Sequence, residues 1–225
     1  MNTYCPDCHR RDFIQRSLLG SAAFFTSAGA FAEALTLTPT QTEGPFYPDK
    51  LPLDTDNDLI VITDSITPAV GEITHLHGRV LDLKGKPLRN TLVEIWQCDA
   101  NGNYLHSRGR NGTKGGWDKN FQGYGRFMTD TKGRYYFRTI KPVAYVGRTP
   151  HIHVMVTKGR DHLLTTQLYI NGEKQNDRDF LFNRVKDPKQ SAAIVADFVP
   201  LKDSKTGELT AKWDIVVGLT PEDAS

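Results

Sequence analysis

From Ile73 onward the sequence breaks into short runs of β-branched and aromatic residues, each ended by turn chemistry. The runs are Ile73–Leu83, Thr91–Gln97, Arg126–Thr129, Tyr135–Ile140, His151–Thr157, Leu164–Ile170, Ile194–Leu201 and Lys212–Val217. "KGKP" and "DTKGR" punctuate them as turns, and a Gly-rich loop spans Asp99–Gly125. Runs of this length at this spacing suit strands and exclude long helices, because no stretch sustains a 3.6-residue apolar period. With 19 Gly and 12 Pro available for turns, the expected fold is all-β: a β-sandwich of mostly antiparallel strands, with long loops carrying the chemistry. One helical turn is expected at Ser191–Asp197.

A formal net charge of +2 gives no strong field, so neither nucleic acid nor an anionic membrane is an expected partner. The first 32 residues read as a leader. Arg10 and Arg11 precede Phe13 and Ile14, an apolar small-residue run follows from about Leu18, and Ala30-Phe31-Ala32 offers a small-x-small cleavage site. This is the pattern of a twin-arginine signal peptide, which places the mature chain in the periplasm or outside the cell. Residues 33–72, rich in Pro, Asp and Thr, read as an arm or linker, and residues 73–225 as the sandwich domain that would carry any chemistry. Cys5 and Cys8 fall in the leader. Cys98 is then the only cysteine left, so an internal disulfide is excluded.

"RTPHIHV", Arg148 to Val154, carries the first functional signal. Strand alternation puts His151 and His153 on one face, with Ile152 and Val154 on the other. Two imidazoles on a stiff strand are half of a metal site. The other half can come from His75 and His77 (a second HxH), Glu94, Asp99, His106, Tyr104 or Tyr145.

In order along the chain, "TEGPFY", "GKPLRNTLVEIWQCDANGNY", "NFQGYGRFMTDTKGRYYFRTIKP", "AYVGRTPHIHV" and "LTTQLYINGE" resemble the intradiol ring-cleavage dioxygenases. The resemblance runs from about Thr42 to Pro200 and is closer in build to the protocatechuate type than to the catechol type. It implies a non-haem Fe(III) enzyme that splits a catechol-type ring between its two hydroxylated carbons with O2, giving a muconate-type diacid. By motif, it puts the iron ligands at Tyr104, Tyr145, His151 and His153. Arg148 would lie over the substrate, Gln167 would line the pocket, and Tyr145 would be the tyrosinate that leaves to take a substrate proton. The charges fit: two phenolates and one hydroxide neutralise a ferric ion, so the centre can sit in a dry core.

Two departures stand out. Only Val146 and Gly147 separate Tyr145 from Arg148, and the helical segment by which catechol 1,2-dioxygenases dimerise has no counterpart. A small aromatic diol and O2 are the expected partners, and a homo- or hetero-oligomer is compatible with the resemblance. His75 and His77 match no ligand position and read as strand-surface residues. Trp96 and Trp117 read as core and pocket wall, and "RGRNGTKGGWDK" as a solvated loop. The competing readings are a secreted sandwich that binds aromatics or proteins without catalysis, and a copper protein using both HxH pairs.

Overall fold

A computed structural model describes residues 35–62, 67–109 and 115–218. The leader expected at 1–32 lies outside them. Among the described residues, ten strands form two mixed sheets. The first sheet holds β1 (Ile73–Asp82), β4 (Arg134–Ile140), β8 (Phe198–Pro200), β9 (Leu209–Lys212) and β10 (Ile215–Val217). The second runs β3 (Tyr124–Met128), β2 (Leu92–Trp96), β5 (His151–Lys158), β6 (Asp161–Ile170), β7 (Val195–Ala196). The all-β expectation holds. Among the described residues, no helix is long and apolar enough to cross a membrane.

Two expected strands are each divided. Ile194–Leu201 begins as β7 beside β6 and ends as β8 beside β9, so it turns the corner from one sheet to the other. Asp197 stands between them, accepting from Asn171 Nδ2 at 2.9 Å. The helical turn lies earlier than expected, as α1 (Pro188–Ala192), because Asp187 caps the Lys189 N–H and Pro188 fits the first turn.

The run expected at Lys212–Val217 is also broken. Lys212 ends β9, which starts at Leu209 ahead of the expected run, and only Ile215–Val217 form β10. β9 lies beside the first half of β1 and β10 beside its second. At the break, Asp214 Oδ1 takes the Arg79 N–H at 2.9 Å, and Tyr135 Oη donates to the Trp213 carbonyl at 2.6 Å. Gly78 faces this break, and a Cβ there would run into the Trp213 carbonyl. Backbone cannot yield as a side-chain tip can. Gly78→Ala is therefore expected to cost ~2–3 kcal/mol, read as a lowered denaturation midpoint; an unchanged midpoint would contradict this packing.

Between the sheets lies the main core, with Val93, Ile95, Ile152, Val154, Val156 and Leu168 facing Leu76, Val80, Phe137, Ile140, Ala211 and Ile215. Residues 35–62 form no strand or helix, yet Leu59 and Ile60 are fully buried in this core. The other face of the second sheet is also buried. Register sets Trp96, His153 and Gln167 side by side across β2, β5 and β6, with His151 beside Tyr169 and Trp96 beside Tyr124. This second face is covered by loops and forms its own cluster of Trp96, Cys98, Tyr104 and Tyr124, packed by Phe46, Tyr47, Val143 and Tyr145. Strand alternation thus sorts one sheet into a hydrocarbon side and a chemical side.

Candidate metal centre

β5 projects both histidines onto the chemical face, each 1% exposed. The residues after β2 leave the sheet and turn at Asp99, whose carboxylate accepts from the N–H groups of Asn101, Asn103 and Asp118 at 2.9, 2.8 and 2.7 Å. That turn brings Tyr104 back over the histidines. Tyr104 Oη stands 3.3 Å from His151 Nε2 and 3.2 Å from His153 Nε2, and the two nitrogens are 3.2 Å apart. Three donor atoms therefore make a nearly equilateral triangle. Tyr145 closes it from the side, its ring 5.3 Å from that of Tyr104 and 5.5 Å from that of His151.

The protons favour a cation here. His151 Nδ1 lies 2.6 Å from the Thr149 carbonyl, which can only accept, so Nδ1 carries the proton and the Nε2 lone pair faces the triangle. Burial, with the Arg148 charge added, pushes His151 down to about 3. Burial likewise holds His153 well below the usual histidine range, helped by His151 and Arg148. Both imidazoles are thus neutral donors. Burial raises the Tyr104 phenol well above 10, with the neighbouring Cys98 and Tyr145 adding to the rise. Tyr145 is raised by burial too, but Arg148 and a hydrogen bond to Tyr104 pull it back. His151 Nε2 offers its lone pair to the triangle, and His153 Nε2 offers one in the tautomer that carries its proton on Nδ1, a buried atom with no hydrogen-bond partner among the described residues. A positive ion can accept both, and ligands ~2.1 Å from a shared ion at angles between square and tetrahedral stand ~3.0–3.4 Å apart.

The donor set suits a hard, highly charged ion. Among the described residues there is no cluster of three or more His, Cys, Asp or Glu. The converging groups are two imidazoles and two phenols, the set that matches ferric iron by charge and hardness.

The surroundings fix each donor. Trp96 stacks on His153 at 4.9 Å and 9°, and Phe46 stacks on Tyr104 at 5.0 Å. Gly44, at φ 75°, brings the "TEGPFY" arm against the His153 ring, where a Cβ would lie 3.3 Å from Cε1. Cys98 is buried beside the phenols, its thiol pushed up to about 12 mainly by burial. It is an inert packing group.

Arg148 is a buried cation, its side chain 9% exposed. Nε donates to Asp179 Oδ2 at 2.8 Å and Nη2 to Gln167 Oε1 at 2.5 Å. Gln167 is oriented in turn by donating Nε2 to the Thr42 carbonyl at 3.0 Å. The six predicted site residues, Tyr104, Tyr145, Arg148, His151, His153 and Gln167, thus lie together.

Comparison with known proteins agrees with this geometry. The sequence profile of the family described as Dioxygenase matches residues 42–218. The chain belongs to the intradiol ring-cleavage dioxygenases. It is 45% identical over 114 residues to the protocatechuate 3,4-dioxygenase beta chain of Burkholderia cepacia, covering 46% of this chain and 47% of that one. It is 31% identical over 166 residues to catechol 1,2-dioxygenase 2 of Acinetobacter lwoffii, covering 64% and 55%. The chain thus spans about half the length of these curated relatives. Among solved structures, the dioxygenase domain of a carbohydrate-binding fusion from Streptomyces sp. SirexAA-E aligns with TM-score 0.60 at 31% identity, covering 82% of this chain and 100% of that one.

Glu94, Asp99, His106 and His75 are engaged elsewhere in this intradiol dioxygenase, and His77 lies on the first sheet, across from Tyr136. Glu94 accepts from the hydroxyls of Tyr124 and Tyr47, the latter at 3.2 Å. Asp99 organises its turn, and His106 Nδ1 accepts the Arg108 N–H at 3.0 Å. His75 bonds Tyr136 at 2.6 Å and Glu208 at 2.8 Å within the first sheet, which removes it from any shared HxH copper site. Trp96 is wholly buried, and Trp117 packs at the edge of the main core.

Sequence reasoning missed Asp179, the hub of the intradiol site. Its carboxylate takes Arg148 Nε and the N–H groups of Thr149, Leu181 and Phe182, the last three at 3.0 Å each. Burial alone would raise this carboxyl, but Arg148 and the backbone donors outweigh it and hold it below the usual range. The same residue, Thr149, then presents its carbonyl to His151. The only sequence sign was an Asp ahead of a turn in "NDRDF", which many loops share.

Proposed function

We propose that the protein is a non-haem Fe(III) dioxygenase that opens a catechol-type ring between its hydroxylated carbons, adding both atoms of O2 to give a muconate-type diacid. The triangle formed by Tyr104 Oη, His151 Nε2 and His153 Nε2 carries this reading. Tyr104, Tyr145, His151 and His153 would hold the ion, which would supply the Lewis acidity that ionises phenol and diol and the electron-accepting power that opens the ring to O2.

The chain's own groups divide the remaining work. Tyr104, 1% exposed, is the fixed phenol. Tyr145 lines a cavity that opens outward, and its oxygen, ionised when the ion is bound, would be placed to take a proton from an incoming diol and become the neutral phenol. Arg148, held on two sides, presents a fixed positive charge to negative charge building on the ring; such pre-placed groups contribute ~3–4 kcal/mol. The dry, aromatic surround of Phe46, Trp96 and Tyr104 excludes competing water.

Titration with ferric iron tests the reading. One equivalent is expected to produce a visible tyrosinate charge-transfer band that shifts on adding catechol, followed by oxygen uptake. A protein that stays colourless in excess ferric iron would overturn it.

A further inference from the structure

Beside Tyr145 lies an outward-opening cavity of about 350 Å³, within the size range of small-molecule sites. Gly147, Arg148, Thr149, Gln175, Arg178 and Asp179 complete its lining. Its charges are not balanced. Asp179 already accepts from Arg148 and three backbone N–H groups, so its charge is spent on Arg148. Arg178 is exposed and forms no ion pair among the described residues.

Arg178 also stands on a braced support. It ends the 3-10 turn Lys174–Arg178, which Glu173 caps by accepting from the Gln175 N–H. Asn176, within this turn, accepts from Thr149 Oγ1 at 2.8 Å and donates to the Ile170 carbonyl at 2.9 Å. Asp179 anchors the turn's other end. These contacts fix the backbone from which Arg178 projects, and a planar guanidinium can take a carboxylate through two parallel bonds.

We infer that Arg178 is a specificity-determining residue that binds an anionic group, of the carboxylate class, carried on the ring of the substrate, with the Gln175 amide beside it. This deepens the proposed reaction and rests on it for the identity of the ring, while the anion contact itself can be measured without turnover. Arg148 faces the site from the same cavity, but its Nε and Nη2 are already committed, which leaves Arg178 as the free guanidinium.

The test uses calorimetric binding of two unreactive single-hydroxyl ligands, 4-hydroxybenzoate and phenol, to the wild-type protein, Arg178→Ala and Arg178→Lys. The wild type is expected to favour 4-hydroxybenzoate at least ~10-fold, as a charged hydrogen bond provides. That ratio should collapse toward unity in Arg178→Ala and recover in part in Arg178→Lys. A wild-type ratio near one, or a ratio that survives in Arg178→Ala, would overturn the inference. Oxygen uptake with 3,4-dihydroxybenzoate and with catechol separates the two claims. Preserved ligand preference without uptake supports the anion contact and sinks ring cleavage. Uptake from both rings with no preference sinks the contact and leaves cleavage standing.

Discussion

Tyr104→Phe is expected to weaken iron retention, to shift and diminish the ferric charge-transfer band to what Tyr145 alone supplies, and to lower turnover ~100-fold or more, while leaving the fold intact. The change removes one oxygen and keeps a ring that stacks on Phe46 at 5.0 Å. Without that oxygen, the two neutral imidazoles, 3.2 Å apart, keep Tyr145 as their one anionic partner. Loss of a group that merely supports a metal ligand costs 10–100-fold, so loss of a donor itself belongs at or beyond the upper end. Iron content, the visible spectrum and a thermal melt are the measurements. A variant that keeps its band unshifted at full strength and one iron per chain would remove Tyr104 from the centre and take the proposed reaction with it.

Asp179→Ala should be the most damaging change outside the donor set. It strands Arg148, whose side chain is 9% exposed, and removes the acceptor of three backbone N–H groups. Breaking one side of a buried pair costs ~3–5 kcal/mol, which at this chain length is a drop of ~10 °C or more in Tm. Turnover in the surviving folded fraction should fall ~10–100-fold, since the guanidinium and the Thr149 carbonyl behind His151 both lose their anchor. Asp179→Asn separates the two effects. The amide oxygen can still accept on one side, from the Leu181 and Phe182 N–H groups, while the NH2 would face the donors of Arg148 and Thr149 on the other. Stability should therefore return only in part, and the charge that fixes Arg148 does not. Full activity in Asp179→Asn would show that hydrogen bonding alone positions the arginine.

Much of this was legible in the sequence because strands keep a period of two. The alternation in "HIHV" placed His151 and His153 together and sent Ile152 and Val154 into the main core, where they are 0% and 1% exposed. Tyr104 and Tyr145 were legible only through motif order, since nothing local says where a loop returns. The break between β9 and β10 was hidden because it depends on Trp213 meeting Gly78 across the sheet, a contact of distant residues. Asp179 was hidden for the same reason: its partner Arg148 is 31 residues away. Glu94 looked like a ligand by residue type, and only the three-dimensional position of Tyr47 and Tyr124 showed its Oε1 already taken by two hydroxyls.

Because β5 turns hydrocarbon to one side and imidazole to the other, the strand acts as a parity check on the whole molecule. A slip of one residue against β2 or β6 would drive His151 and His153 into oil and bring Ile152 and Val154 out beneath the phenols. Such a chain would lose its core and its reactivity in the same step. An inactive but stably folded population arising from mispaired strands is therefore closed to this architecture, and assays of activity double as assays of correct pairing.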